Sequence, residues 1–335
     1  MIKWIARLWL VGLLAACAGP QADSRSAAAE VAALDSDFPD PAVLRASDGY
    51  YYAYATQSVR QTGTINIQVA RSRDLAAWEQ LGDALPAKPR WASRTQEFWA
   101  PHVAAHGGHY FLYYSAKPDA ALDDSKRGLC LAVATALRPE GPFTDMGHPL
   151  VCGEGFVNID PMAFDDPATG RRLLYWGSGF GPIKVQELAA DRLSFAPGSA
   201  PVSLVEVVKT DDPANYRRLV EGAWVMRRAG WYYLFFSGDN CCGPQAHYAV
   251  MVARSRNATG PFVVKPGRGG VILEADSRWI APGHNSTIKH RGIDRIVYHA
   301  VDVNRSRTRD SDDVNSRRVM LVRNLVWRDG WPELP

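Results

Sequence analysis

"DGYYYAYAT", Asp48 to Thr56, is followed after a short gap by "INIQVARS", Ile65 to Ser72. An Asp-Gly turn opens a run of aromatic residues interleaved with alanine, and a second apolar run follows. Aromatic and β-branched residues favour strands, and Asp-Gly favours a turn. The stretch therefore predicts a pair of short strands. The same phrase returns four times, as "GGHYFLYYS" with "GLCLAVAT", "GRRLLYWGS" with "IKVQELAA", "AGWYYLFFS" with "YAVMVARS", and "IDRIVYHA" with "RRVMLVRN". Anchored on Tyr50, Tyr110, Leu173, Trp231 and Ile296, the copies stand 60, 63, 58 and 65 residues apart.

Another apolar run, such as "AVLRA" or "AWVMRR", precedes each aromatic strand, and a weaker one, such as "WEQLG" or "FVVKPG", follows the second. Each repeat thus holds about four short strands bounded by turn residues. No convincing amphipathic helix follows residue 40. Four-stranded units repeated radially are propeller blades, so the expected fold is all-β, a five-bladed β-propeller of four-stranded blades. A pair of β-sandwiches would not carry one period through the whole chain.

The repeats account for residues 37–335 as one domain. The 335 residues carry a formal charge of +3, close to balance, with no long basic block, and this excludes nucleic acid as an expected partner. At the other end, Lys3 and Arg7 precede an apolar run from Leu8 to Leu14 that is too short to span a bilayer. The run ends in "LAAC", which resembles the lipobox of bacterial lipoprotein signals, with lipid carried on Cys17. An ordinary secretory signal cut near Ala16 or Ala18 is the alternative. Residues 1–17 are read as the signal and 18–36 as a flexible tether. Both readings predict export to the bacterial cell envelope. Membrane contact is then expected through the lipid anchor only, with a monomeric body.

Export makes disulfides permissible. Beyond Cys17 the chain has Cys130, Cys152, Cys241 and Cys242, which allow three pairings. Cys130 and Cys152 share one neighbourhood of the sequence and are the favoured pair. Cys241 and Cys242 are adjacent, open to a vicinal bridge, and four buried thiols remain the alternative. No CxxC or HExxH appears, so a zinc site is unsupported.

In a propeller the first strand of each blade lines the central channel, and its opening residue faces one mouth. Ten to thirteen residues before the anchors stand Asp40 in "PDP", Trp99 in "WAPH", Asp160 in "IDP", Glu221 in "EGAW" and His284 in "GHNS". A lone Asp-Pro reads as a turn. Three acids, a tryptophan and a histidine in equivalent slots point to a site. Three carboxylates around one pocket suit glycoside hydrolysis. One deprotonates water, one protonates the leaving oxygen, and the third adjusts its neighbour's proton affinity.

These motifs together, "PDPAVL", "WAPHV", "NIDP", "EGAW" and "GHNS" with "YH", resemble glycoside hydrolase family 43. That family of five-bladed propellers includes arabinofuranosidases, arabinanases and β-xylosidases. The resemblance runs from about residue 37 to the end. It implies an inverting enzyme that releases pentose, α-L-arabinofuranosyl foremost, from plant-type oligosaccharides or polysaccharides. It further implies Asp40 as general base, Glu221 as general acid and Asp160 as modulator. A β-xylosidase or a non-catalytic glycan-binding propeller are the alternatives. His284 matches a histidine that in many such enzymes sits near a channel ion, often calcium, with waters between; the chemistry itself is expected to need no cofactor. The cysteines around Cys130 and Cys152, and "GDNCCG", also look like features of arabinose-releasing members.

The sequence departs from the family at His102, where many relatives carry Asp or Glu after "WAP". The histidine is read either as a substrate or ion contact or as a strand residue facing the next blade. His299 is read either as pocket lining or as a core histidine. Phe38, Trp99, Trp176 and Trp224 lie in or near the slots and form the expected sugar platform.

Overall fold

The computed structural model describes Met1 and residues 31–60, 63–177, 179–305 and 317–335. Cys17, the signal segment around it and residues 18–30 of the expected tether lie outside the described residues. Five antiparallel sheets follow one another along the chain as the blades of a β-propeller. Blade one pairs Ala42–Arg45, Tyr51–Ala55, Gln68–Ser72 and Glu79–Asp83 in that order. Blade three repeats the plan with Met162–Asp165, Arg172–Trp176, Ile183–Glu187 and Val202–Val205.

The other blades depart from a uniform count of four. In blade two the third strand, Cys130–Ala136, takes both Thr144–Asp145 and Val151–Cys152 on its outer edge. In blade four His247–Ser255 does the same with Val263–Val264 and Val271–Leu273. Among the described residues, blade five pairs Trp279–His290, Ile293–Asp302 and Val319–Asn324. Its outer edge is taken by the start of the folded unit, where Leu34 bridges Met320 and the amides of Ala33 and Leu34 donate to the Met320 carbonyl. The compact unit accordingly begins at Ala32, inside the stretch read as tether. Apolar burial explains the difference. Leu34 is buried beside Phe38, Val43, Val297 and Met320, in one cluster that joins blade five to blade one.

The second strands are buried on both faces, as Tyr51–Ala55 and Trp231–Asn240 show. Their alternation is therefore one of side-chain size, not of polarity. A buried phenol needs a partner for its hydroxyl. Tyr54 donates to the carbonyl of Pro139, Tyr113 to that of Arg192, Tyr175 to that of Ala258 and Tyr233 to that of Gly330, at 2.6 to 2.9 Å. Each of these tyrosines reaches forward along the chain to a turn beyond its own sheet. The aromatic runs thus pack the blades and tie them together.

Of the cysteine pairings, the structure shows Cys130–Cys152 and Cys241–Cys242. The first pair sits directly across two paired strands of blade two.

Candidate active site

The slot at the start of each first strand has a common backbone. A residue with positive φ stands there in every blade: Asp40 (59°), Ala100 (46°), Asp160 (60°), Gly222 (62°) and His284 (45°). This left-handed conformation is sparsely populated by residues with a Cβ, although aspartate tolerates it. In blades two, four and five the pairing register also shifts at this point. The kink explains why Asp-Pro opens a strand. It ends the ladder and re-aims the side chain.

Polar groups of a preceding blade hold the kinks. The Asp40 amide donates to His299 Nδ1 at 3.0 Å, the Ala100 amide to Thr56 Oγ1 at 2.7 Å, the Asp160 amide to Ser115 Oγ at 3.1 Å and the His284 amide to Ser237 Oγ at 2.8 Å. In blade four the Gly222 amide donates to the carboxylate of Asp160 at 2.9 Å. One acid of the site is therefore bound to the backbone beside another.

Asp40, Trp99, Asp160, Glu221 and His284 all line one cavity of about 540 Å³. Asp40 is nearly buried and accepts the Thr56 hydroxyl at Oδ2, 2.5 Å away. Its Oδ1 lies 3.3 Å from Arg318 Nη1 and 3.4 Å from His284 Nδ1. Burial alone would raise the Asp40 pKa, but the charge of Arg318 holds it well below the usual carboxylate range; the imidazoles of His284 and His299 stand beside it. Both imidazoles are kept neutral by burial, with His299 pushed down to about 4. Arg318 is thus the lasting positive charge. Asp160 shows the opposite shift. Burial first, then the charges of Glu221 and Asp40, raise its pKa well above the ordinary value. Glu221 accepts the Tyr248 hydroxyl at Oε1, 2.7 Å away.

The structure divides the other residues singled out from sequence. Trp99 lines the cavity, whereas Phe38, Trp176 and Trp224 do not and are buried in the core. Phe38 packs where the first and last blades meet. The Trp176 indole donates to Asn158, and that of Trp224 to Thr287. His102 faces the next blade: its Nδ1 accepts the Ala163 amide at 3.3 Å and its ring meets Trp224 edge-on. Burial pushes the His102 pKa down to about 3, and it does not line the cavity. His299 is fully buried behind Asp40. Because its Nδ1 accepts an amide proton, its own proton sits on Nε2, which has no partner among the described residues.

Sequence reading missed Arg318, Thr56 and Tyr248, which touch the acids, and Phe156 and Phe180, which line the same cavity; it offered Cys241 and Cys242 as a bridge without placing them on that cavity. One signal for Arg318 was present: a charged pair opening the otherwise apolar "RRVMLV".

The ion expected near His284 was tested against the donors present. Calcium takes about six to eight oxygen ligands. Among the described residues no group of three or more His, Cys, Asp and Glu is arranged to hold a metal. His284 turns Nδ1 toward Asp40 and Asp160, at 3.4 and 3.7 Å. These residues alone do not form a calcium cage, and an ion held near His284 would take most of its ligands from water.

Residues 32–332 match the glycosyl hydrolases family 43. The extracellular exo-α-(1→5)-L-arabinofuranosidase of Cellvibrio japonicus is 26% identical over 99% of this chain and 92% of its own length. A β-D-galactofuranosidase of Aspergillus niger is 29% identical over 89% of this chain and 82% of its own. Among solved structures, an exo-1,5-α-L-arabinanase from a bovine ruminal metagenomic library superposes with a TM-score of 0.70, at 26% identity, over 89% of this chain and 97% of that one. With its blades, its cavity and its acids in place, the chain belongs to glycosyl hydrolases family 43 and is a glycoside hydrolase.

Proposed function

We propose that the protein is an inverting α-L-arabinofuranosidase acting on oligosaccharides. The observation that carries this reading is the pair of opposite proton affinities on one cavity: Asp40 held ionised beside Arg318, Asp160 pushed toward its protonated form beside Glu221. Groups driven apart in this way mark acid and base roles.

Asp40 is the base. One oxygen is tied by Thr56, whose hydroxyl in turn accepts the Ala100 amide, so the carboxylate is fixed in rotation. It takes a proton from water as that water attacks the anomeric carbon. Glu221 is the acid and protonates the departing oxygen, with its carboxyl oriented by Tyr248. Asp160, whose proton affinity is raised beside Glu221, shares one proton with it and makes that proton available to Glu221 before bond cleavage. Its bond from the Gly222 amide sets the spacing of the two acids. Water attacks on the face opposite the leaving group, so the product forms with inverted configuration. No step is assigned to a metal ion.

The furanose preference draws on the two relatives, both named for cleaving furanosides. A β-D-galactofuranoside is the second reading, on the strength of the Aspergillus enzyme. The basic-apolar start of the chain and the extracellular description of the Cellvibrio relative support export. Lipid attachment at Cys17 is part of the same proposal, and mass spectrometry of the mature N-terminus tests it.

The deciding experiment is hydrolysis of p-nitrophenyl α-L-arabinofuranoside, β-D-galactofuranoside and β-D-xyloside, with the first-formed anomer followed by proton NMR. Release of the inverted arabinose with negligible xyloside turnover is expected. Retained configuration, or inertness toward every furanoside, overturns the reading.

A further inference from the structure

The Cys241–Cys242 disulfide lines the cavity that holds the three acids. It stands in the turn between the second and third strands of blade four. Glu221 pairs with Ser237 and Val220 with Gly238, so the turn leaves the sheet on the side of Glu221. The base of the turn is fixed. Asp239 Oδ2 lies 2.6 Å from both Arg218 Nη2 and His247 Nδ1, and the His247 ring stacks on Tyr216 with centroids 4.1 Å apart. The Asn240 side chain donates across the turn to the Gln245 carbonyl.

A role in stability does not account for this bond. Cross-links stabilise by restricting the unfolded chain, and more so for longer loops. Cys130–Cys152 spans a sequence separation of 22, whereas Cys241–Cys242 spans 1 and closes almost no loop. What a vicinal disulfide does is join two side chains to the peptide unit between them in one small ring. It presents two sulfurs and two methylenes as a rigid, polarisable face without hydrogen-bond donors. Two free thiols would rotate independently and offer S–H groups. Such an apolar face suits the C–H side of a sugar ring, where polarisable sulfur makes favourable contacts.

We propose that the Cys241–Cys242 disulfide is a sugar-contacting wall of the site and determines which glycosides are accepted. This rests on the carbohydrate reading above. The ligand class is a furanosyl unit bound next to Glu221, with its apolar face on the two sulfurs.

The test is steady-state kinetics on α-(1→5)-arabinotriose and on the aryl arabinofuranoside and xyloside, for wild type and Cys241→Ala/Cys242→Ala. The kcat/KM on arabinotriose should fall at least about ten-fold, chiefly through KM, and the ratio between substrates should change while Tm holds. A second measurement avoids substitution altogether. A water-soluble phosphine and one water convert the disulfide to two thiols and the phosphine oxide. Applied to Cys130→Ala/Cys152→Ala, which retains only the vicinal bond, the phosphine should produce the same loss, and reoxidation should reverse it. The proposal is overturned if both treatments leave kcat/KM and the substrate ratio within about two-fold of the untreated enzyme. It is equally overturned if the loss tracks a fall in Tm. Wild type inert on all three glycosides would instead sink the functional reading, and this proposal with it.

Discussion

The backbone amide of Asp40 donates to Nδ1 of His299 at 3.0 Å, and this bond joins blade five to blade one at the catalytic cavity. In the second, third and fifth blades a serine or threonine does the equivalent work. His299 therefore positions Asp40 without touching substrate. His299→Leu leaves the Asp40 amide buried and unpaired, at a cost of about 1–3 kcal/mol. Its kcat should fall more than its KM rises, and His299→Gln, which keeps an acceptor, should recover part of the loss. Equal kinetics for the Leu and Gln variants would refute the positioning role.

Arg318 acts on the same carboxylate through charge. An adjacent guanidinium lowers an aspartate pKa by about 1–3 units. With Arg318→Gln, Asp40 protonates at higher pH, and a protonated base is inactive. The acid limb of the kcat/KM profile should move to higher pH by a comparable amount. An unmoved limb would remove Asp40 from the role of base.

Asp160 carries a raised proton affinity in the folded protein, from burial and then from Glu221 and Asp40. The folded state consequently binds more protons than the unfolded state above the ordinary aspartate pKa of about 3.9. Stability from this group is fullest below that pH and declines as pH rises toward the folded value. Asp160→Asn keeps an oxygen for the Gly222 amide and cannot ionise. It should unfold later than wild type at pH 7, while activity is largely lost. Denaturant titration checks this. A variant less stable than wild type at pH 7 contradicts it.

His102 and His299 are buried with pKa values pushed down to about 3 and about 4. Between those values and the unfolded pKa of about 6.5, the unfolded chain takes up protons that the folded chain refuses. The stabilising contribution is present above pH 6.5 or so and is lost as pH falls through that window. In the Asp160→Asn background, which removes the carboxyl whose contribution runs the other way, unfolding free energy should drop by on the order of a few kcal/mol from pH 7 to pH 4.5. His299→Gln should flatten part of the slope. A profile that is level from pH 7 to 4.5 would mean that these rings are not buried and neutral.

The five anchors near 60-residue spacing made the ring legible in the sequence, because each blade repeats one solution to the same packing problem. The slots were legible for the same reason, since Asp40 and Asp160 hold the positive-φ position of their blades and Glu221 stands one residue before it, and all three line one cavity. What closes around them was harder to read. Thr56 directly follows the second strand of blade one, Arg318 directly precedes the last strand of blade five, and Tyr248 lies in the third strand of blade four, so the slot spacing carries no information about them. Trp224 illustrates the converse error. It stands only three residues from Glu221, yet the register shift between them turns the indole onto Thr287 and His102. His102 resolves likewise, as a contact between blades.

The bridge from Leu34 to Met320 has a consequence for biogenesis. The outermost position of the final sheet is filled by residues that precede all five blades in the chain, so their partner at Met320 emerges only after the blades between. A nascent chain arrested before Val319–Asn324 leaves them without that partner. Once that strand has formed, its free edge is a template for another molecule until Leu34 arrives. Seating of the Leu34 segment therefore requires a chain in which Val319–Asn324 has already been made.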